Sequence, residues 1–144
     1  MMRSVILALL GVAVATQPAW GEIARVKRSV GTALVERGKA KLAPGPGFQL
    51  LAGDTLVTGK DGQMSLTFID DTRFSVGPNS RISIDQFDYN RTTQAGTFVT
   101  KVNRGSLAVV SGQIAHSRQD AMKVRTPTSL LGVRGTRFIV EVPK

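Results

Sequence analysis

Residues 53–85 read GDTLVTGKDGQMSLTFIDDTRFSVGPNSRISID, and this stretch sets the fold class. Thr55 to Thr58, Met64 to Ile69, Arg73 to Val76 and Arg81 to Asp85 each alternate apolar with polar residues. Gly53-Asp54, Asp61-Gly62-Gln63, Asp70-Asp71-Thr72 and Gly77-Pro78-Asn79-Ser80 lie before or between them as turn chemistry. A period of two buries one face of a strand and leaves the other in water. Leu56, Leu66, Val76 and Ile84 recur at intervals of 10, 10 and 8 residues.

The same cadence extends outward. Leu107, Ile114, Val124, Val133 and Val142 recur at 7, 10, 9 and 9 residues. On the N-terminal side, Thr32-Ala33-Leu34-Val35 precedes a charged, Gly-containing stretch from Arg37 to Lys41. The best helix candidate, Thr97 to Val110, contains Gly105 and several β-branched residues, so strands are predicted there instead. The polar segment Gln86 to Gly96 is predicted to be a protruding loop or a long hairpin tip. The expectation is one all-β domain over residues 24–144, twisted and solenoid-like or rolled. A β-sandwich remains the alternative, because periodicity alone does not choose between them.

The chain has 144 residues, 42% of them apolar, which suits one globular domain. It contains no Cys and one His, which excludes disulfides, thiolate metal sites, Cys nucleophiles and His-rich metal clusters. Lys and Arg number 19 against 10 Asp and Glu, a net charge of +9.

The N-terminus resembles an export signal. Arg3 precedes an uncharged run from Ser4 to Ala15, then Pro18-Ala19-Trp20-Gly21 places small residues at the two positions a signal peptidase reads. Residues 1–21 are predicted to be a cleaved signal peptide. The alternative is an uncleaved anchor, which needs about 20 apolar residues, and Pro18 falls too early for that. Cleavage removes Arg3 and no acid, leaving 18 basic and 10 acidic residues, net +8. A periplasmic or secreted protein with no transmembrane span after cleavage is expected.

Few residues suggest chemistry. Asp70-Asp71 forms a carboxylate pair in sequence, but adjacent strand residues point to opposite faces, so turn formation is the expected role. His116 has no neighbouring acid and sits in no nucleophile-elbow pattern. Gly132-Val133-Arg134-Gly135-Thr136 resembles half a phosphate loop without its Lys-Ser/Thr ending. No enzyme activity, cofactor or metal is therefore expected. The basic clusters Arg25, Lys27, Arg28 and Arg37, Lys39, Lys41 are the candidate binding residues for an acidic envelope polymer or a protein partner. Export and the low aromatic content, 6%, argue against nucleic acid. The rival reading of these cations is a solvated face with edge protection.

Six motifs in one order resemble the FecR domain family. Val30-Gly31 with Ala33-Leu34-Val35 looks like its opening V-x-G-x-V strand. Leu51-Ala52-Gly53-Asp54-Thr55-Leu56-Val57-Thr58-Gly59 looks like L-x-x-G-D-x-I-x-T-G. Gln63 to Ile69 with Asp70-Asp71-Thr72 resembles A-x-L-x-F-x-D-G-[ST], with Asp71 where the family often has Gly. Val76-Gly77-Pro78-Asn79-Ser80 resembles L-x-P-x-S, and Arg104-Gly105-Ser106-Leu107 resembles x-x-G-x-[LV]. Val124-Arg125-Thr126-Pro127-Thr128 and Val133-Arg134-Gly135-Thr136-Arg137-Phe138 resemble the closing V-x-T-P…V-R-G-T-x-F-x-V signature. The resemblance implies an all-β, solenoid-like or roll-like periplasmic domain in which these residues are structural. In better-known members the domain helps pass a signal from an outer-membrane receptor to a cytoplasmic sigma factor. Those members carry a cytoplasmic helical region, a transmembrane helix and a C-terminal signalling subdomain. None is recognised in this sequence, so a stand-alone exported interaction module is expected.

Overall fold

A computed structural model describes residues 21–135 and 137–143. The expected signal peptide, apart from Gly21, and Thr136 of the closing signature lie outside the described residues. The chain opens with β1 (Ala24–Val30), β2 (Ala33–Arg37), β3 (Ala40–Leu42) and β4 (Gln49–Leu50). The stretch quoted first supplies β5 (Thr55–Thr58), β6 (Gln63–Phe68), β7 (Arg73–Val76) and the start of β8 (Arg81–Tyr89). A long β9 (Gly96–Val110) and a short helix α1 (Gln113–Ser117) follow. The chain ends with β10 (Met122–Arg125), β11 (Leu130–Val133) and β12 (Arg137–Val142).

The fold is all-β, a curled, roll-like sheet organised around β9. The first half of β9 pairs with β8 on one side and, in parallel, with β10 on the other. Its second half pairs with β7 and β12. Two sheets therefore share one strand. The front sheet runs β3-β2-β5-β8-β9-β10-β11, and the back sheet runs β4-β1-β6-β7-β9-β12. Every pair except β9–β10 is antiparallel.

The alternation read from the sequence puts one residue set inside. Leu56, Leu66, Val76, Ile82, Ile84, Val102 and Leu107 are all buried. Phe68 and Phe74 from the back sheet meet Phe87 and Phe98 from the front sheet. The Phe68 and Phe98 ring centroids lie 4.7 Å apart, and those of Phe87 and Phe98 lie 4.9 Å apart. A fully buried Phe of this kind contributes about 3–5 kcal/mol against Ala, so this cluster is the main tie between the sheets.

The bend in β9 lies at Gly105, whose φ is +88°. A Cβ there would stand 2.1 Å from Ser80 Oγ and 2.4 Å from Ser80 Cα, so only Gly fits. Ser80 Oγ accepts from the Ser106 N–H at 3.0 Å, and Thr58 Oγ1 accepts from the Ser80 N–H at 3.0 Å. Thr58 in turn donates to the Gly77 carbonyl at 2.6 Å. The separate motifs carrying Thr58, Pro78, Ser80 and Gly105 thus meet at one corner, where backbone groups that leave the ladder are satisfied by hydroxyls.

The structure departs from expectation in three places. Ile114 lies on helix α1 rather than on the strand that its place in the cadence predicts. The segment Gln86 to Gly96 is a long hairpin whose strands reach Tyr89 and resume at Gly96, leaving only residues 90–95 as the tip. Gly53 and Gly59 bound β5, as turn residues should, but Asp54 does more than turn the chain.

Candidate interaction site

Asp54 is buried, and its carboxylate accepts both Arg37 Nε at 2.9 Å and Arg37 Nη2 at 2.8 Å. It also accepts from the Leu51 N–H at 2.9 Å. The Arg37 Nη2 donates further to the Gln49 carbonyl at 3.1 Å, and its guanidinium lies 5.7 Å from the Phe48 ring centroid. Arg37 therefore staples β2 of the front sheet to β4 of the back sheet. The Asp54 carboxylate holds the Arg37 guanidinium above its ordinary pKa. A cleft of about 630 Å³ opens beside this pair, bordered by Gly53, Phe87 and Asp88. Of its charged groups, Arg37 and Asp54 are committed to each other, and Asp88 accepts from the Gln86 side-chain amide at 3.1 Å.

Asp70 and Asp71, adjacent in sequence, have opposite surroundings. Asp70 is fully buried and accepts from the Thr72 N–H at 3.1 Å, the Thr72 hydroxyl at 2.8 Å and the Ile114 N–H at 3.2 Å. It satisfies the start of α1 from a distant turn. Asp71 is exposed with φ +71°, the left-handed conformation that favours Gly at this position. His116 packs against the closing turn: a Cβ on Gly135, whose φ is +59°, would lie 2.6 Å from its Cε1. Thr126 accepts from the Ser129 N–H at 3.0 Å and shapes the β10–β11 turn that contains Pro127. Arg134 is exposed, and Phe138 packs half-buried against the core. Among the described residues, no three His, Cys, Asp or Glu gather at one point.

The two basic clusters named from sequence occupy different sheets. Arg25, Lys27 and Arg28 are exposed on β1 of the back sheet, where the ladder bulges between Val26 and Arg28. Arg25 is paired with Glu22, which raises its pKa. Lys39 lies in the β2–β3 turn, and Lys41 lies on β3 opposite Glu36. Arg37 is engaged as described above. No register brings these six residues onto one face.

A different set does meet. Across the outer face of the front sheet, successive register partners run Lys41, Glu36, Thr55, Ser83, Lys101, Arg125 and Leu130. Lys123 lies two residues before Arg125 on β10, and Arg104, three residues beyond Lys101 on β9 across a register shift, opposes Arg81. Neighbouring strands stand about 4.8 Å apart and same-face residues about 6.7 Å apart, so Lys101, Lys123 and Arg125 form a tight cationic group. Acids share this face with the cations. Arg81 Nη2 donates to Glu36 at 2.8 Å, and that bond holds the Glu36 carboxyl below its ordinary range, helped by Lys41 and Arg104 nearby. Asp85 accepts the Ser83 hydroxyl at 2.8 Å, and the Asp120 carboxylate lies over Gly132, the register partner of Lys123. The sequence reading missed Lys101, Arg104 and Lys123 because the parallel β9–β10 crossover joins segments more than twenty residues apart. The only local signal was the period-two spacing of Lys123 and Arg125.

A sequence model of the family described as FecR protein matches residues 54–144. The match begins at Asp54, so β1 to β4 lie before it, although β1 and β2 pair with β6 and β5. No curated protein and no solved structure matches the chain. No helix among the described residues is long and apolar enough to cross a membrane.

Proposed function

Because the chain belongs to the FecR protein family, whose domains are envelope-associated, we propose that it is a non-enzymatic periplasmic module that binds another envelope component. The family is consistent with an envelope signalling or interaction role. The cationic group Lys101, Arg104, Lys123 and Arg125 on the front sheet carries the finer reading, that the component is anionic. A group of cations at strand spacing on an open sheet face suits an extended anionic polymer better than a compact substrate, because each charge meets a separate acidic group. Catalysis is not part of this reading: Asp54 and Asp70 are each engaged in a structural contact.

The test is co-sedimentation of the purified protein with isolated acidic wall polymer across a salt series. Binding should weaken steeply as the screening length falls below about 10 Å near 0.1 M salt. Binding indifferent to salt, or absent at low salt, would contradict the anionic component.

A further inference from the structure

We propose that β12 is a self-association edge, on which a second copy of this chain adds its own β12 in antiparallel register centred on Ile139. Among the described residues, the front sheet ends at β3 and β11 and the back sheet at β4 and β12. β3, β4 and β11 are three, two and four residues long. β12 has six residues and pairs with β9 in an unbroken register from Arg137 to Val142. Natural edges are protected by shortness, charged side chains or Pro on the edge, bulges or inward charges. Among the described residues β12 is neither short nor bulged, and its inward positions Phe138, Val140 and Val142 carry no charge; its charges, Arg137 and Glu141, face outward, and Pro143 follows the strand.

Its outward face carries Arg137, Ile139 and Glu141. Ile139 is 69% exposed, the most exposed large apolar residue described. It stands at the end of a cross-strand row of small residues, Ser65, Ser75 and Ala108, which leaves a flat approach. Antiparallel pairing of β12 with its own copy about Ile139 sets Ile139 against Ile139 and Arg137 against Glu141, twice by symmetry. The strand is thus self-complementary in charge and shape, as an isologous two-fold contact requires. A second observation lies on the inner side. Leu131 is an inward position of β11, opposite buried Val124, yet it remains 43% exposed. It borders a cleft of about 510 Å³ whose other wall is Ile139 to Pro143. An added strand beside β12 continues the back sheet over this uncovered residue.

Self-association at β12 does not depend on the anionic-component reading, and its test contains no anion. Sedimentation velocity of the purified protein should show a monomer–dimer equilibrium that Ile139→Lys abolishes while the circular dichroism spectrum stays unchanged. Arg137→Glu or Glu141→Arg alone should weaken the dimer by roughly tenfold, by placing like charges opposite each other. Arg137→Glu combined with Glu141→Arg should restore it, which only the antiparallel self-register does. The chain has no Cys, so Ile139→Cys supplies a single thiol. Opposed strand residues lie about 4.5–5.5 Å apart from α-carbon to α-carbon, within disulfide reach, so mild oxidation should yield a linked dimer. Ser75→Cys, inside the same sheet face, should not. A monomer at every concentration without linkage at position 139 overturns the proposal. So does a dimer that Ile139→Lys leaves intact, or a charge swap that fails to restore association.

Discussion

Replacing Gly105 with Ala tests the corner on which the two-sheet arrangement depends. The backbone there has φ +88°, and a left-handed conformation costs an L-residue about 1–2 kcal/mol. The new Cβ would meet Ser80 Oγ at 2.1 Å and Ser80 Cα at 2.4 Å. The latter is backbone, so β8 itself must shift, and overpacking of this kind costs about 1–3 kcal/mol. The two effects together give a loss of about 2–5 kcal/mol, a large share of the 5–15 kcal/mol typical of a domain. Urea denaturation should show a lower midpoint with an unchanged slope, and the thermal midpoint should fall on the order of 10–20 °C. Ser80→Gly in the same chain removes the hydroxyl collision but leaves the clash with the backbone of residue 80, so it should recover only part of the loss. A Gly105→Ala variant within about 0.5 kcal/mol of the parent would overturn this expectation, because surface-like tolerance is incompatible with this corner.

Three further perturbations probe the polar ties. Arg37→Gln strands the buried Asp54 carboxylate. Breaking a buried pair costs about 3–5 kcal/mol, but the Arg37 side chain is 37% exposed, so about 2–3 kcal/mol is expected in urea denaturation. Asp70→Ala removes the acceptor of the Thr72 N–H, the Thr72 hydroxyl and the Ile114 N–H; about 2–4 kcal/mol should be lost, with faster amide exchange at Thr72 and Ile114. Glu36 has a folded pKa below its unfolded value, so its benefit is full above the ordinary glutamate range and fades as pH falls through the lower folded value. The melting difference between the parent and Glu36→Gln should therefore be positive at neutral pH and vanish in strong acid.

Local patterns were legible where burial alone sets the residue type. Leu56, Leu66, Val76 and Ile84 announced their strands because a half-buried strand requires alternation. Asp71 and Gly105 marked conformations that sequence could only hint at, and both have positive φ. Register was not legible. Arg37 and Asp54 lie 17 residues apart, and nothing local says that one neutralises the other. Arg37 therefore looked like a partner-binding cation although its charge is held within the fold. Lys101 and Lys123 looked unrelated because a parallel pairing through α1 is decided by the whole sheet. Helix α1 itself is five residues long, too short for a periodic signal, and is held by Asp70 rather than by its own sequence.

The proposed function rests on recognition of an anionic envelope component by the front-sheet cations. Its sharpest test is calorimetric titration of one acidic wall polymer, at low salt, into two triple variants of equal stability. Lys101→Gln with Lys123→Gln and Arg125→Gln should abolish the heat of binding. Arg25→Gln with Lys27→Gln and Arg28→Gln, on the other sheet, should leave it close to the parent. Equal loss in both variants would reduce the effect to net charge, and loss only in the second would place the contact on the wrong sheet.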